Sequence, residues 1–331
     1  MQPLRIALAQ IAPRLGLLDE NLASHHALIG QARAGGAGLV VFPELGLTGY
    51  LLQDLAAEVA MRLDDPRLLA LAAATAAPGT AALAPGAGAN GDRPDGAPGG
   101  GLSAIVSFVE ESADHRLFIA VALLEDGRVR HVQRKLFLPT YGLFDERRFF
   151  AAGDLLRATP SRLGVGVGLS VCEDFWHLGV PQLLALDGAQ LLVNVSSSPG
   201  RDLAALNEVG LGTATSWRTL LRTYAQLTTS FVVFVNRVGV DESISFWGGS
   251  EVIGPNGDAI FSAPLYDEGL FYADIDLADV RRERIALPLL RDERLELTVR
   301  ELDRIVAERS GQSAETTAEP GSEPGLDVAA R

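Results

Sequence analysis

The strongest constraint on this chain is a pattern. Short apolar runs, each stopped by Gly, Pro or charge, alternate with stretches whose apolar residues recur at three- and four-residue steps. The first kind suits strands and the second suits amphipathic helices. Leu4 to Pro13 and Gly38 to Glu44 read as strands, with a helix from about Asp19 to Arg33 between them. A second helical pattern runs from Asp54 to Ala74. Three strands are then expected over Ser103 to Glu110, Leu117 to Glu125 and Arg128 to Leu138, with Asp126-Gly127 as a hairpin turn. The alternation returns with a strand over Arg162 to Val171, a helix near Val180 to Leu186 and a strand over Gln190 to Val195. A helix from Gly212 to Gln226 precedes strands at Phe231 to Asn236, Ser250 to Gly254 and Leu270 to Ile275. Strand and helix alternating in both halves imply sheets covered by helices on their outer faces, a layered α/β sandwich.

Two segments stand apart. Residues 76–101 are almost wholly Ala, Gly, Pro and Asn, too poor in large apolar groups to pack, and read as a surface insertion. From about Gly311 the chain is polar, with Glu315, Glu319, Glu323 and Asp327 among Gly, Pro, Ser and Thr, and reads as a disordered tail.

With 331 residues, 47% of them hydrophobic, the chain can bury a large core. No apolar run approaches the roughly 20 residues of a membrane helix. The opening MQPLRIALAQIAP lacks a signal-peptide pattern and reads as a first strand, so the expectation is a soluble, cytoplasmic protein with no membrane partner. A net charge of -14 disfavours nucleic acid, whose phosphates need a basic surface. A single cysteine, Cys172, allows no internal disulfide, and the five histidines (His25, His26, His115, His131, His177) show no metal-ligand spacing. No metal or organic cofactor is expected.

A thiol attacks an amide carbon only after losing its proton, and the oxyanion that forms needs positive charge or N–H groups beside it. The usual base is His, yet only His177 lies near Cys172, in a context that suits a solvated loop. Three segments instead place reactive groups at ends of apolar strands, where α/β folds gather their sites. They are VVFPELGLTGY around Glu44, VQRKLFLPTYGLFDERRFF around Lys135, and GLSVCEDFWH around Cys172. Singly, each has a plainer reading: a capping carboxylate, a surface lysine, a buried cysteine. Together, in this order and all at strand ends, they make a much stronger case for a reactive site than any of them does alone.

The three segments resemble the Glu-Lys-Cys motifs of the nitrilase superfamily, the carbon-nitrogen hydrolases. The likeness extends over residues 4–305 and includes NVSSSP at 194–199, FVNRVG at 234–239 and FWGGSEVIGPNGD at 246–258. It implies a four-layer αββα sandwich, a hydrolase domain over 1–305 followed by the polar tail 306–331, and assembly into homodimers or larger homo-oligomers. It also implies roles: Cys172 as nucleophile, Glu44 as general base, Lys135 with the N–H of Glu173 for the oxyanion, and Glu146 as a second glutamate holding lysine or substrate. The reaction implied is an amidase reaction through a thioacyl intermediate, with release of ammonia.

The wording of PELGLTGYLLQDL, KLFLPTYGLFDERRFF and CEDFW is most similar to the glutaminase domain of glutamine-dependent NAD synthetases. That likeness puts Tyr141 and Glu173 at the amino-acid end of a glutamine-like small-molecule amide. Glu173 can equally be structural, paired with an Arg such as Arg148. Phe144, Phe175 and Trp176 are expected either to wall the pocket or to belong to the core. No Gly-rich phosphate loop for ATP is present, so the chain is not expected to make NAD itself. Four readings follow: an amidase acting on a glutamine-like ω-amide, a glutaminase subunit feeding a separate ammonia-accepting synthetase, a nitrilase, and a catalytically silent assembly module.

Overall fold

The computed structural model describes residues 3–79, 101–200, 212–242 and 244–310. Most of the expected insertion (80–100) and the expected tail from residue 311 lie outside the described residues.

In chain order the elements begin with β1 (Leu4–Gln10), α1 (Leu18–Ala34), β2 (Leu39–Val41) and α2 (Pro66–Ala73). Strands β3 (Ser103–Glu111), β4 (Leu117–Glu125), β5 (Arg128–Arg134), β6 (Ala158–Pro160) and β7 (Gly166–Val171) follow. Next come α3 (Gly179–Leu186), β8 (Ala189–Ser196), α4 (Gly212–Thr228), β9 (Phe231–Asn236), β10 (Val238–Asp241) and β11 (Ile244–Trp247). β12 (Glu251–Ile253), β13 (Ala259–Ser262), β14 (Gly269–Ile275) and α5 (Ala278–Ala286) complete the first compact unit, Met1–Leu290.

Two six-stranded sheets form, in the orders β14-β1-β2-β3-β4-β5 and β13-β12-β9-β8-β7-β6, with β10 and β11 as a separate hairpin. Strand alternation decides which side chains face which layer. In β1, Ile6 and Leu8 join the core shared with Leu169, Val193 and Val233 of the other sheet, while Ala7 and Ala9 pack with Leu22 and Ile29 of α1 and Leu68 of α2. On the second sheet, Gly168 of β7 lies under Leu184 of α3, where an added Cβ would come within 3.0 Å of the Leu184 Cβ. Trp217, Leu221 and Tyr224 of α4 are likewise buried there. The unit is therefore a four-layer αββα sandwich.

Some expectations shift in instructive ways. The hairpin between β4 and β5 turns on Asp126 and Gly127, both at positive φ (51° and 80°), as a two-residue turn requires. The helix expected over 54–74 is confined to Pro66–Ala73, because Met61 is drawn alongside β3 in a bridge to Glu110, and Asp65 caps the new start by accepting the Arg67 N–H at 2.8 Å. The strand expected to run to Leu138 ends at Arg134, since the N–H groups of Leu136 and Phe137 go to a buried carboxylate rather than to a neighbouring strand.

Residues from Arg291 form a second unit. Its described part contains α6 (Leu295–Arg309), on which Leu295, Val299, Leu302 and Val306 form one exposed apolar stripe. Among the described residues, no helix is long and apolar enough to cross a membrane.

Candidate active site

The carboxyl ends of β2, β5, β7 and β8 converge, two strands from each sheet. Each delivers one or more polar side chains just beyond its last paired residue. After β2 comes Glu44, after β5 Lys135, after β7 Cys172 and after β8 Ser197. All four side chains are at least nine-tenths buried.

Lys135 Nζ donates to Glu44 Oε1 at 2.8 Å and to Glu146 Oε1 at 2.7 Å. Burial opposes its charge, but Glu146 and Glu44 outweigh this and hold the ammonium well above the ordinary lysine range. Glu44 is fixed at its second oxygen by the Ser197 N–H, at 2.8 Å, and its backbone carbonyl accepts the Ser197 hydroxyl at 3.0 Å. The loop is pinned further where Leu45, at φ 49°, donates its N–H to Ser107 Oγ. Each Glu44 oxygen keeps a lone-pair direction not used by these donors, since a carboxylate offers about four.

Glu146 sits on a single 3-10 turn, Glu146–Arg148. Its Oε1 accepts from Lys135 and from Tyr50 Oη, the latter at 2.5 Å, while its buried Oε2 has no partner among the described residues. Burial pushes this carboxyl up to about 7, with Lys135 opposing and Glu44 adding to the rise. Two donors on Oε1 assign the proton of the neutral form to Oε2.

Cys172 begins the 3-10 turn Cys172–Trp176 at φ 44°, a left-handed conformation that makes a sharp elbow after β7. Burial raises its thiol well above the usual range, the Glu44 charge adds to this, and Lys135 and the Ser196 hydroxyl work against it. These influences together favour the thiol over the thiolate. Behind the elbow, Asn194 Nδ2 reaches the Cys172 carbonyl at 3.4 Å and Ser170 Oγ at 3.1 Å.

The other anticipated residues are distributed unevenly. Tyr141 Oη donates to Glu173 Oε2 at 2.8 Å, so these two meet beside the elbow. Arg148, an alternative partner for Glu173, lies instead near Asp145 at 3.9 Å. Phe144 packs edge-on against both Tyr50 and Tyr141. Phe175 is fully buried against Tyr224 of α4 and belongs to the core. Trp176 is 44% exposed and meets Trp217 edge-on. Tyr50, Asp174 and Ser197 join the cluster without having been singled out in the sequence, although each lies inside a motif quoted for its neighbour. Among the described residues, no three His, Cys, Asp or Glu side chains are grouped to hold a metal ion.

An αββα sandwich collecting Glu, Lys and Cys at its strand ends is the architecture of the nitrilase superfamily. The sequence model of the carbon-nitrogen hydrolase family matches residues 5–284, and the chain belongs to that family. The glutamine-dependent NAD(+) synthetase of Thermotoga maritima is 30% identical over 291 residues, which is 87% of this chain and 45% of that protein. The chain therefore spans about half the length of the curated relatives it matches. Among solved structures, a carbon-nitrogen hydrolase from Helicobacter pylori aligns with a TM-score of 0.73 at 25% identity, covering 91% of this chain and 98% of that one. Glutamine-dependent NAD+ synthetase from Acinetobacter baumannii aligns at 0.67 and 27% identity, covering 83% and 46%.

Proposed function

We propose that this chain is an amidase that hydrolyses the carbon–nitrogen bond of a small, glutamine-like carboxamide through a thioacyl intermediate on Cys172. The observation carrying this reading is the buried lysine held between two glutamates beside a buried cysteine. Glu44 takes the Sγ proton as the thiolate adds to the carbonyl carbon. The oxygen that becomes negative lies against Lys135 Nζ and the N–H of Glu173, groups already fixed in a dry site. The carbon–nitrogen bond breaks with transfer of the proton from Glu44 to nitrogen, and ammonia leaves. Glu44 then takes a proton from water, which attacks the thioester and releases the carboxylic acid and the thiol.

The glutamine-like cargo rests on the Tyr141–Glu173 pair, an anionic group held where a substrate ammonium would be met. The synthetase relatives, named for their dependence on glutamine, support the same choice. A second reading follows from the matched length: as a glutaminase subunit, the chain would pass ammonia to a separate synthetase. Ammonia release that rises severalfold on adding that partner would select it. A lone thiol that must stay reduced suits the cytoplasm. The α6 stripe supports homodimers or larger homo-oligomers, which light scattering reads directly.

The direct test is mass spectrometry of the adduct trapped on Cys172 from a panel of amides, because its mass reports the acyl group. A γ-glutamyl adduct is expected. Adducts from simple aliphatic amides only would remove the glutamine part. Cys172→Ala should abolish turnover with the fold retained, since nucleophile and base act as a unit.

A further inference from the structure

Asp174 is fully buried, has no ion-pair partner among the described residues, and spends both oxygens on backbone. Its Oδ1 accepts the N–H groups of Leu136 and Phe137, each at 3.0 Å, and its Oδ2 accepts the N–H of Val171 at 3.0 Å. Leu136 directly follows Lys135, and Val171 directly precedes Cys172. The first segment leaves the sheet containing β5 and the second leaves the sheet containing β7. One carboxylate therefore clasps the oxyanion-side lysine to the nucleophile across the seam between sheets.

The chemistry of the clasp requires this side chain. Only a carboxylate accepts on both arms at once; an amide of the same shape would turn its NH2 toward a backbone N–H on one side. Burying a charge is costly, and burial does push this carboxyl up to about 6, against the backbone donors of Val171, Phe137 and Leu136 and the charge of Lys135. A neutral staple would avoid that cost. We propose that Asp174 is a positioning residue that fixes the separation of Lys135 and Cys172 by holding the backbone beside each. This rests on the thioacyl reading of the site.

The test pairs amide kinetics with the pH dependence of Cys172 alkylation by iodoacetamide, in the parent, Asp174→Asn and Asp174→Ser. The groups facing the thiol are Glu44, Lys135, Glu146 and Tyr50. Loosening Lys135 should raise the alkylation midpoint, whereas the mere loss of a nearby negative charge would lower it. A displacement of this kind is also expected to lower kcat by about 10- to 100-fold with KM changed by less than about threefold. A folded variant with parental kcat, or a midpoint that falls, overturns the proposal. Failure of both variants to fold would reduce Asp174 to a folding staple and also overturn it. A parent that cleaves no amide would refute the thioacyl reading separately, because the alkylation midpoint reads the clasp without any amide.

Discussion

At the Glu146 carboxyl, one oxygen takes two donors and the other takes none, so protonation and geometry are tied together. Burial lifts this group from an ordinary 4.5 to about 7. The folded chain then holds a proton that the unfolded chain has already released. The stabilising contribution is complete below about pH 4.5 and is lost as pH rises toward 7, because in that window the unfolded state binds fewer protons. Glu146→Gln keeps the neutral shape and cannot titrate. Urea unfolding at several pH values should show the parent losing stability relative to this variant between about pH 4.5 and 7; a constant gap would contradict the buried, proton-holding carboxyl. Tyr50 belongs to the same account, yet it is separated from Glu146 by 96 positions. Sequence spacing gives no sign of that contact, which only folding creates.

Among the elements, the loop after β2 shows how backbone shape sets the site. Gly49 lies at φ 79°, and an added Cβ would meet the Leu15 backbone at 2.7 Å, whereas Gly36, at φ 77°, faces open space. Gly36→Ala should cost about 1 kcal/mol, the price of a left-handed conformation alone. Gly49→Ala should cost about 3 kcal/mol by adding the clash, and should also lower kcat, since it moves Tyr50. Thermal unfolding and amide turnover of the two variants separate these effects. Most strands were legible because apolar runs such as FVVFVN at 231–236 leave little alternative. The hairpin of β10 and β11 was not, because it is short and its Val240 is 66% exposed. α5 was hidden by its charge, with Arg281, Arg282, Glu283 and Arg284 in succession. Glu44, Lys135 and Cys172 stood out because reactive groups at strand ends share an end of the fold, whereas Glu146, on an isolated 3-10 turn, was marked only by the family resemblance. Phe175 stayed open between pocket and core in the sequence, since a fragment of sequence does not say which way a side chain on a tight elbow turns.

On the scale of the whole molecule, the cluster belongs to neither sheet alone. Glu44 and Lys135 leave one sheet, Cys172 and Ser197 the other, and Glu44 is bonded to both sides. Leu169 lies in the core between the sheets, whereas Leu68 lies under the outer helices of the first sheet. Leu169→Ala and Leu68→Ala should each cost about 2–5 kcal/mol. Only Leu169→Ala should also lower kcat at temperatures where the protein stays folded, by about tenfold through misplacement of the reacting groups; equal kcat losses in the two variants would refute the distinction. The candidate active site thus serves as a gauge of the seam between sheets. Any influence that widens that seam by a fraction of an ångström will register as slower turnover well before the chain begins to melt.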